Sequence, residues 1–170
     1  MPKKKFVISL GGSLIVPDTL DVRFLKRFKK ILTPHFKDKQ FYLVVGGGQA
    51  ARRYQQAARS MGVSAKDLDL IGIQATRCNA QLVRGLFGKQ ASQDIFYSPL
   101  DCRQLTRPVC VGGGWKPGWS TDYVAATIAE QLNVSTVINL SNVDYVYDKD
   151  PRKSADARPL KRIAWTEMRR

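Results

Sequence analysis

Residues 42–49, YLVVGGGQ, read as the end of a buried strand that runs straight into three glycines. An apolar run without alternation suits a strand covered on both faces, as in a parallel sheet. Glycine at the carboxyl end of such a strand leaves backbone N–H groups bare, so that an anion can come close. The following QAARRYQQAARSM (49–61) is built from good helix formers and stops at Gly62. The same order recurs on either side: VISLGGS at 7–13 and VCVGGGW at 109–115 again lead an apolar strand into glycine. In an open α/β sheet, ligands sit outside the carboxyl ends of the strands, where helix N-termini add partial positive charge. One such corner is equally explained by a tight turn. Three on one sheet edge predict a groove for several phosphates, which suits transfer between two nucleotides better than binding of one.

Working outward, residues 5–10 and 41–45 read as strands, and DVRFLKRFKKILTPHF (21–36) has apolar residues at helical spacing with a basic outer face. In SAKDLDLIGIQATRCNAQLVRGLF (64–87), Leu68, Ile71, Ala75, Leu82 and Leu86 predict one long helix or two short ones. Ile95–Tyr97 reads as a short strand. DYVAATIAEQL (122–132) reads as a helix capped by Ser120, Thr121 or Asp122. Residues 135–141 form a further strand that leads into NVDYVYDKDP, which without further information is an Asx-rich turn with Tyr145 and Tyr147 packed on the core. Strand and helix alternate, so the fold class is α/β with a mainly parallel sheet. The last residues, IAWTEMRR (163–170), read as a strand end, a Thr166 cap and one helical turn, as if the sequence stopped short of its relatives.

The 170 residues are 44% hydrophobic and 25% charged, ordinary for one globular domain. No apolar run reaches the ~18 residues that span a bilayer, and the apolar stretch after MPKKK is too short for a signal peptide. A cytoplasmic location is expected. Cys78, Cys102 and Cys110 lack CxxC spacing and read as buried reduced thiols, and the single His35 excludes a multi-histidine site. The net charge of +14 favours anionic partners. Its Lys and Arg are scattered rather than interleaved with aromatics on one element, so no specific nucleic acid is implied.

Two phosphate motifs are excluded. GxxxxGK[ST] is absent. Gly46, Gly48 and Ala51 satisfy GxGxxA, but Asp67 and Asp69 lie between helical stretches rather than at the tip of a second strand, where a dinucleotide fold needs its acid.

The motifs VISLGGS, VVGGGxxARRY, LDxIGIxxTRxNA, GGWKPGWSTDYVA and NLSNVDYVYDKDPRK occur in this order over nearly the whole chain. Together they resemble the archaeal-type UMP kinases of the amino-acid kinase superfamily. The resemblance implies a three-layer αβα sandwich, transfer of the γ-phosphoryl of ATP to UMP in pyrimidine nucleotide biosynthesis, Mg²⁺ held mainly by ATP phosphates, and a homo-hexamer. It implies one domain over 1–170, with the acceptor-nucleotide part at about 1–120 and the ATP side at about 121–170. It also implies that relatives continue past Arg170.

Residue by residue, the resemblance places Gly11, Gly12 and Ser13 around the phosphoryl being transferred. Gly47 would face UMP, while Gly48 and Arg52 would face the ATP phosphates. Arg52 is also a cation one turn into a helix that opens on a glycine corner. Asp69 matches the acid that binds the UMP ribose, although Asp67 or Asp69 could equally cap the helix. Trp115, Lys116, Pro117, Gly118, Trp119, Ser120 and Thr121 match the loop that encloses UMP, with Gly113 and Gly114 admitting the anion. Packing is an alternative role for Trp119. Asp122 matches an acid that orients donors, and Ser141, Asn142, Tyr147 and Asp150 match the ATP site. Many superfamily members carry a lysine just before the first glycines, where this chain has Ser9-Leu10; Lys116 or Lys5 could supply that charge. The competing readings are a kinase for a carbamate, acylamino-acid or isopentenyl phosphate acceptor, and a non-catalytic nucleotide-binding relative.

Overall fold

The computed structural model describes residues 3–143, 145–149 and 154–162. The chain forms two compact units, residues 1–140 and 141–170.

In the first unit, β1 (Lys4–Leu10), β2 (Lys39–Val45), β3 (Val109–Gly112) and β4 (Val137–Leu140) form one parallel sheet in the order β3-β2-β1-β4. The chain steps outward from β1 through β2 to β3 and then returns to place β4 on the other side of β1. The crevice of such a sheet lies at this reversal, outside the carboxyl ends of the strands. All the glycine corners are at that edge.

Alternation along the strands divides the core into two layers. Ile8, Leu10, Phe41, Leu43, Val45, Val109 and Val111 face α2 (Val22–Leu32) and α4 (Ala65–Phe87), through Leu25, Phe28, Leu32, Ala80, Val83 and Phe87. Val7, Tyr42, Val44 and Cys110 face α5 (Thr121–Gln131), through Val124, Ala125, Ile128 and Ala129. Helices therefore cover both faces, giving the αβα sandwich. Full burial of Ile128 alone contributes about 1.5–3 kcal/mol.

Three of the helices begin where the sequence supplies a side-chain cap. Asp21 accepts from the Phe24 amide (2.8 Å) and starts α2, which carries Lys29 and Lys30 at its C-terminal end where they complement the helix dipole. Ser64 caps α4, so neither Asp67 nor Asp69 does. Ser120 caps α5, settling a choice between three residues. The four-residue α1 (Gly12–Ile15) and α3 (Gly48–Ser60) have no side-chain cap and start on glycine instead.

Three expectations need correcting. Ile95–Tyr97 is not a strand: Phe96 makes a single bridge to Gly112, because Ser92 Oγ donates to the Asp94 carbonyl (2.9 Å) and bends the chain between its two contacts with β3. α4 is one helix, and Leu68, Ala75 and Leu86 of the expected stripe are buried or packed on the core, but the inward face leaves out Leu82 and takes in polar residues. Leu82 is exposed, and Thr76 and Asn79 are buried. Cys78 is exposed, on the outer side of that helix; Cys102 and Cys110 are buried.

In the second unit, β5 (Val146–Tyr147) pairs antiparallel with β6 (Pro159–Leu160). Asp148 accepts from the Arg158 amide (2.8 Å) and Lys149 pairs with Asp156 (2.6 Å). Tyr145 is half exposed rather than packed in a core, and Tyr147 is half-buried. Asp150 and the stretch 163–170, with the expected Thr166 cap, lie outside the described residues.

Candidate functional site

The first two glycine corners touch each other. β1 and β2 are neighbours in register, so the chain leaves both at the same height. A side chain on Gly12 would place its Cβ 2.0 Å from the Gly48 amide nitrogen and 2.5 Å from the Gly46 carbonyl carbon. Gly48 has φ +60° and would collide with the Gly12 carbonyl oxygen at 2.3 Å. These glycines are required by close approach of two backbones, whatever else they contact. The Gly11 amide is used by the Leu140 carbonyl (2.8 Å) and the Gly46 amide by that of Leu10 (2.9 Å).

The third corner opens into a loop with its own turn. In Lys116-Pro117-Gly118-Trp119 the Trp119 amide donates to the Lys116 carbonyl (3.2 Å) and Gly118 has φ +80°. Proline followed by a positive-φ glycine makes this a type II turn. The turn brings the Trp115 and Trp119 rings edge to face, with centroids 4.7 Å apart. Lys116 Nζ lies 4.2 Å from one ring centroid and 4.4 Å from the other. Trp119 also meets Tyr123 in the first turn of α5, and both tryptophans pack against the core layer beneath α5. A cation on aromatic faces is held in place and keeps its capacity to meet an anion; among the described residues Lys116 has no carboxylate partner.

α4 holds this loop from below. Asp69 Oδ2 accepts from the Gly118 amide (2.8 Å), and Thr76 Oγ1 accepts from the Gly114 amide (2.6 Å). Asn79 Nδ2 donates to the carbonyls of Gly46 and Gly47 (2.9 and 3.1 Å). Between loop, α3 and α4 lies a cavity of about 460 Å³, in the size range of small-molecule sites. Lys116 and Asp69 are the only charged side chains among the described residues that line it, and Ser120 and Thr121 bring the N-terminus of α5 to its rim.

Asp122 stands at the sheet's reversal. Ser9 on β1 and Asn139 on β4 are register partners, and both donate to Asp122 Oδ1, at 2.5 and 3.4 Å. One carboxylate in the first turn of α5 thus ties together the strands on either side of the crevice. Ser9, which precedes the first glycines, supplies a neutral donor to this acid. Among the described residues no three His, Cys, Asp or Glu side chains are close enough to share an ion. The hydroxyl and carboxylate oxygens at this edge, on Ser9, Ser120, Thr121 and Asp122, are hard donors of the kind magnesium takes, so the residues present fit that ion.

Of the expected acceptor residues, Gly47, Asp69, Lys116, Pro117, Gly118, Trp119, Ser120 and Thr121 line one cavity. Trp115 does not line it; its ring packs on the core and supports Lys116. Gly12, Ser13 and Gly48 cluster at the joined corners, and Gly11 with them. Arg52 is exposed on α3, with Nε donating to Gln49 Oε1 (2.8 Å). Ser141, Asn142 and Tyr147 belong to the second unit, where Ser141 Oγ accepts from the Val143 amide (3.4 Å). The Gly114 amide, expected to help admit an anion, is already taken by Thr76.

Sequence reasoning missed Ser9, Gln55, Thr76, Asn79 and Asn139. Gln55 Nε2 donates to the Leu68 carbonyl (2.9 Å) and lines the cavity. Thr76 and Asn79 stood as fixed letters of the LDxIGIxxTRxNA motif without an assigned role, and a polar residue that a helix buries needs a partner.

Comparison with known proteins bears on the family and the fold. The family described as the amino acid kinase family matches residues 4–170. A uridylate kinase of Thermococcus onnurineus is 40% identical over 167 residues, covering 96% of this chain and 74% of its own length. One from Thermoplasma volcanium is 41% identical, with 96% and 72% covered. The crystal structure of the Archaeoglobus fulgidus uridylate kinase superposes with a TM-score of 0.83 at 34% identity, covering 97% of this chain and 76% of that one.

Proposed function

Since the chain belongs to the amino acid kinase family, we propose that it is a UMP kinase that transfers the γ-phosphoryl group of ATP to UMP, giving UDP for pyrimidine nucleotide synthesis. The cavity carries the reading: Gly47, Asp69 and the 116–121 loop, assigned to UMP by resemblance, come together around one space at the strand edge. The kinases similar to this chain are named for uridylate, which supports the same acceptor. Residues up to about 120 serve the acceptor, and those beyond serve ATP.

Phosphoryl transfer asks a protein to position two anions and to offset charge as it develops. In the proposed mechanism a phosphate oxygen of UMP, already deprotonated near neutral pH, attacks the γ-phosphorus as its bond to the bridging oxygen of ADP breaks, so UDP and ADP form and no general base is needed. Asp69 accepts ribose hydroxyl protons on the carboxylate oxygen that Gly118 leaves free. Ser120, Thr121 and the α5 N-terminus meet the UMP phosphate. Gly12 and Ser13 wrap the transferring group, and Gly48 and Arg52 face the remaining ATP phosphates. Asp122 keeps Ser9 and Asn139 oriented at the reversal. Ser141, Asn142, Tyr147 and Asp150 hold the nucleoside of ATP. When bound with ATP, Mg²⁺ neutralises charge on its phosphates. We assign the enzyme to the cytoplasm, as a hexamer; among the described residues no helix is long and apolar enough to cross a membrane.

A coupled assay with ATP and a panel of UMP, CMP, AMP, carbamate and isopentenyl phosphate tests the proposal. Turnover with UMP at the highest kcat/KM is expected. Preference for carbamate or isopentenyl phosphate would reassign the acceptor, and ATP binding without turnover of any acceptor would sink the kinase reading.

A further inference from the structure

α4 runs past the cavity with one face, whose Asp69, Gly72, Ile73 and Thr76 line it and whose Asn79 lies one turn further on, outside the lining. Asp69, Gly72, Ile73, Thr76 and Asn79 follow the spacing of one helix face. Three of them grip the backbone of other elements: Asp69 the tip of the loop at Gly118, Thr76 its root at Gly114, and Asn79 the second corner at Gly46 and Gly47. Thr76 and Asn79 are both buried, so their polar atoms depend on these partners. They stand one turn apart, which pins the ends of neighbouring strands β2 and β3 to points about 4.5 Å apart on a stiff axis.

Thr76 is placed to position rather than to bind. Its hydroxyl hydrogen goes to the Ile73 carbonyl (2.6 Å), and its oxygen receives the Gly114 amide. A hydroxyl has one hydrogen to give, so nothing remains to donate to a ligand. The corner comes to the helix because it is bare: a Cβ on Gly113 would lie 2.6 Å from Thr76 Oγ1, and one on Gly47 would lie 3.5 Å from Thr76 Cγ2. One side chain therefore touches both corners, and the next turn of the same helix secures the second.

We propose that Thr76 and Asn79 are positioning residues that set the separation of the second and third glycine corners, and through it the placement of the acceptor's phosphate. The inference rests on reading the cavity as the acceptor site. Three variants of the intact chain test it, Thr76→Val, Thr76→Ser and Asn79→Asp, each with separate KM values for UMP and ATP, kcat, Tm and UMP affinity by calorimetry.

Valine keeps the shape of threonine and leaves the Gly114 amide unpaired. Serine restores the acceptor oxygen, and aspartate sets a carboxylate against two carbonyl oxygens. The expected result is a rise of about tenfold or more in the UMP KM for Thr76→Val and Asn79→Asp, with the ATP KM unchanged, and return to within about threefold for Thr76→Ser. A lowered Tm with kinetics unchanged, an equal rise in both KM values, or no recovery with serine overturns the proposal. Wild-type protein that binds UMP but turns over no acceptor defeats the kinase reading alone. The calorimetry then decides: UMP affinity weakened by valine and restored by serine supports the brace. Equal affinity in every variant, or no UMP binding at all, overturns it.

Discussion

The corners that follow β1 and β2 are backbone pressed on backbone, whereas the loop that follows β3 hangs on side chains. Gly12, Gly46 and Gly48 approach so closely that any Cβ would enter another residue's main chain. The third corner is held by Asp69 and Thr76 from α4 and by its own two tryptophans. Both regions look alike in sequence, as glycines after an apolar strand, but they fail differently. Main chain cannot step aside without moving two strands. Side chains can repack, so the loop can change its contacts while the sheet edge stays fixed.

The largest effect is expected where no relief exists. Gly12→Ala puts a methyl group 2.0 Å from the Gly48 nitrogen, and both corners belong to central strands. Overpacking in a close-packed site costs about 1–3 kcal/mol when side chains can adjust, so here a loss of about 3 kcal/mol or more is expected. Chemical denaturation should show it together with loss of turnover. Gly12→Ala protein with wild-type stability and activity would mean that the two corners do not meet in this way.

Asp122→Asn probes the charge at the reversal without disturbing shape. Ser9 and Asn139 both donate to one carboxylate oxygen, and an amide oxygen can still accept from both. Stability should change little, while kcat should fall by about 10²–10³ if the carboxylate orients donors at the transferring group. UMP affinity by calorimetry should stay near wild type. Normal turnover would remove Asp122 from the mechanism, and a large fall in Tm would make it a structural tie between β1 and β4.

The β1, β2 and β3 corners, α3 and α5 were legible because apolar runs, glycine and helix formers stand next to one another in the chain. The acceptor loop was legible for the same reason: KPGW encodes its turn locally. What could not be read depends on partners distant in sequence. Nothing near Thr76 or Asn79 announces that a buried polar residue will find Gly114 or Gly46. The helix leaves Leu82 exposed and buries Thr76, Asn79 and Val83, with Leu86 packed at the core's edge. Ser9 and Asn139 became a pair only through the register of β1 with β4. Cys78 looked like its buried counterparts until the helix phase placed it outside.

The smallest effect is expected in the loop, and it sharpens the contrast most. Gly118 has φ +80° but nothing within 4 Å of an added Cβ, so alanine there meets no clash. The cost is the left-handed backbone alone, about 1–2 kcal/mol, and it falls on a turn that the sheet does not need for its core. Because Gly118 gives its amide to Asp69, a distorted turn should weaken the loop's hold on the acceptor. Gly118→Ala should then raise the UMP KM by about tenfold, the equivalent of ~1.4 kcal/mol, while the ATP KM stays close to wild type and Tm falls by only a few degrees. If Gly118→Ala lowers Tm as much as Gly12→Ala does, the loop is as much a part of the framework as the joined corners. If neither KM moves, the turn adapts to alanine, and Asp69 holds the loop loosely enough that its carboxylate is already free for the acceptor's sugar.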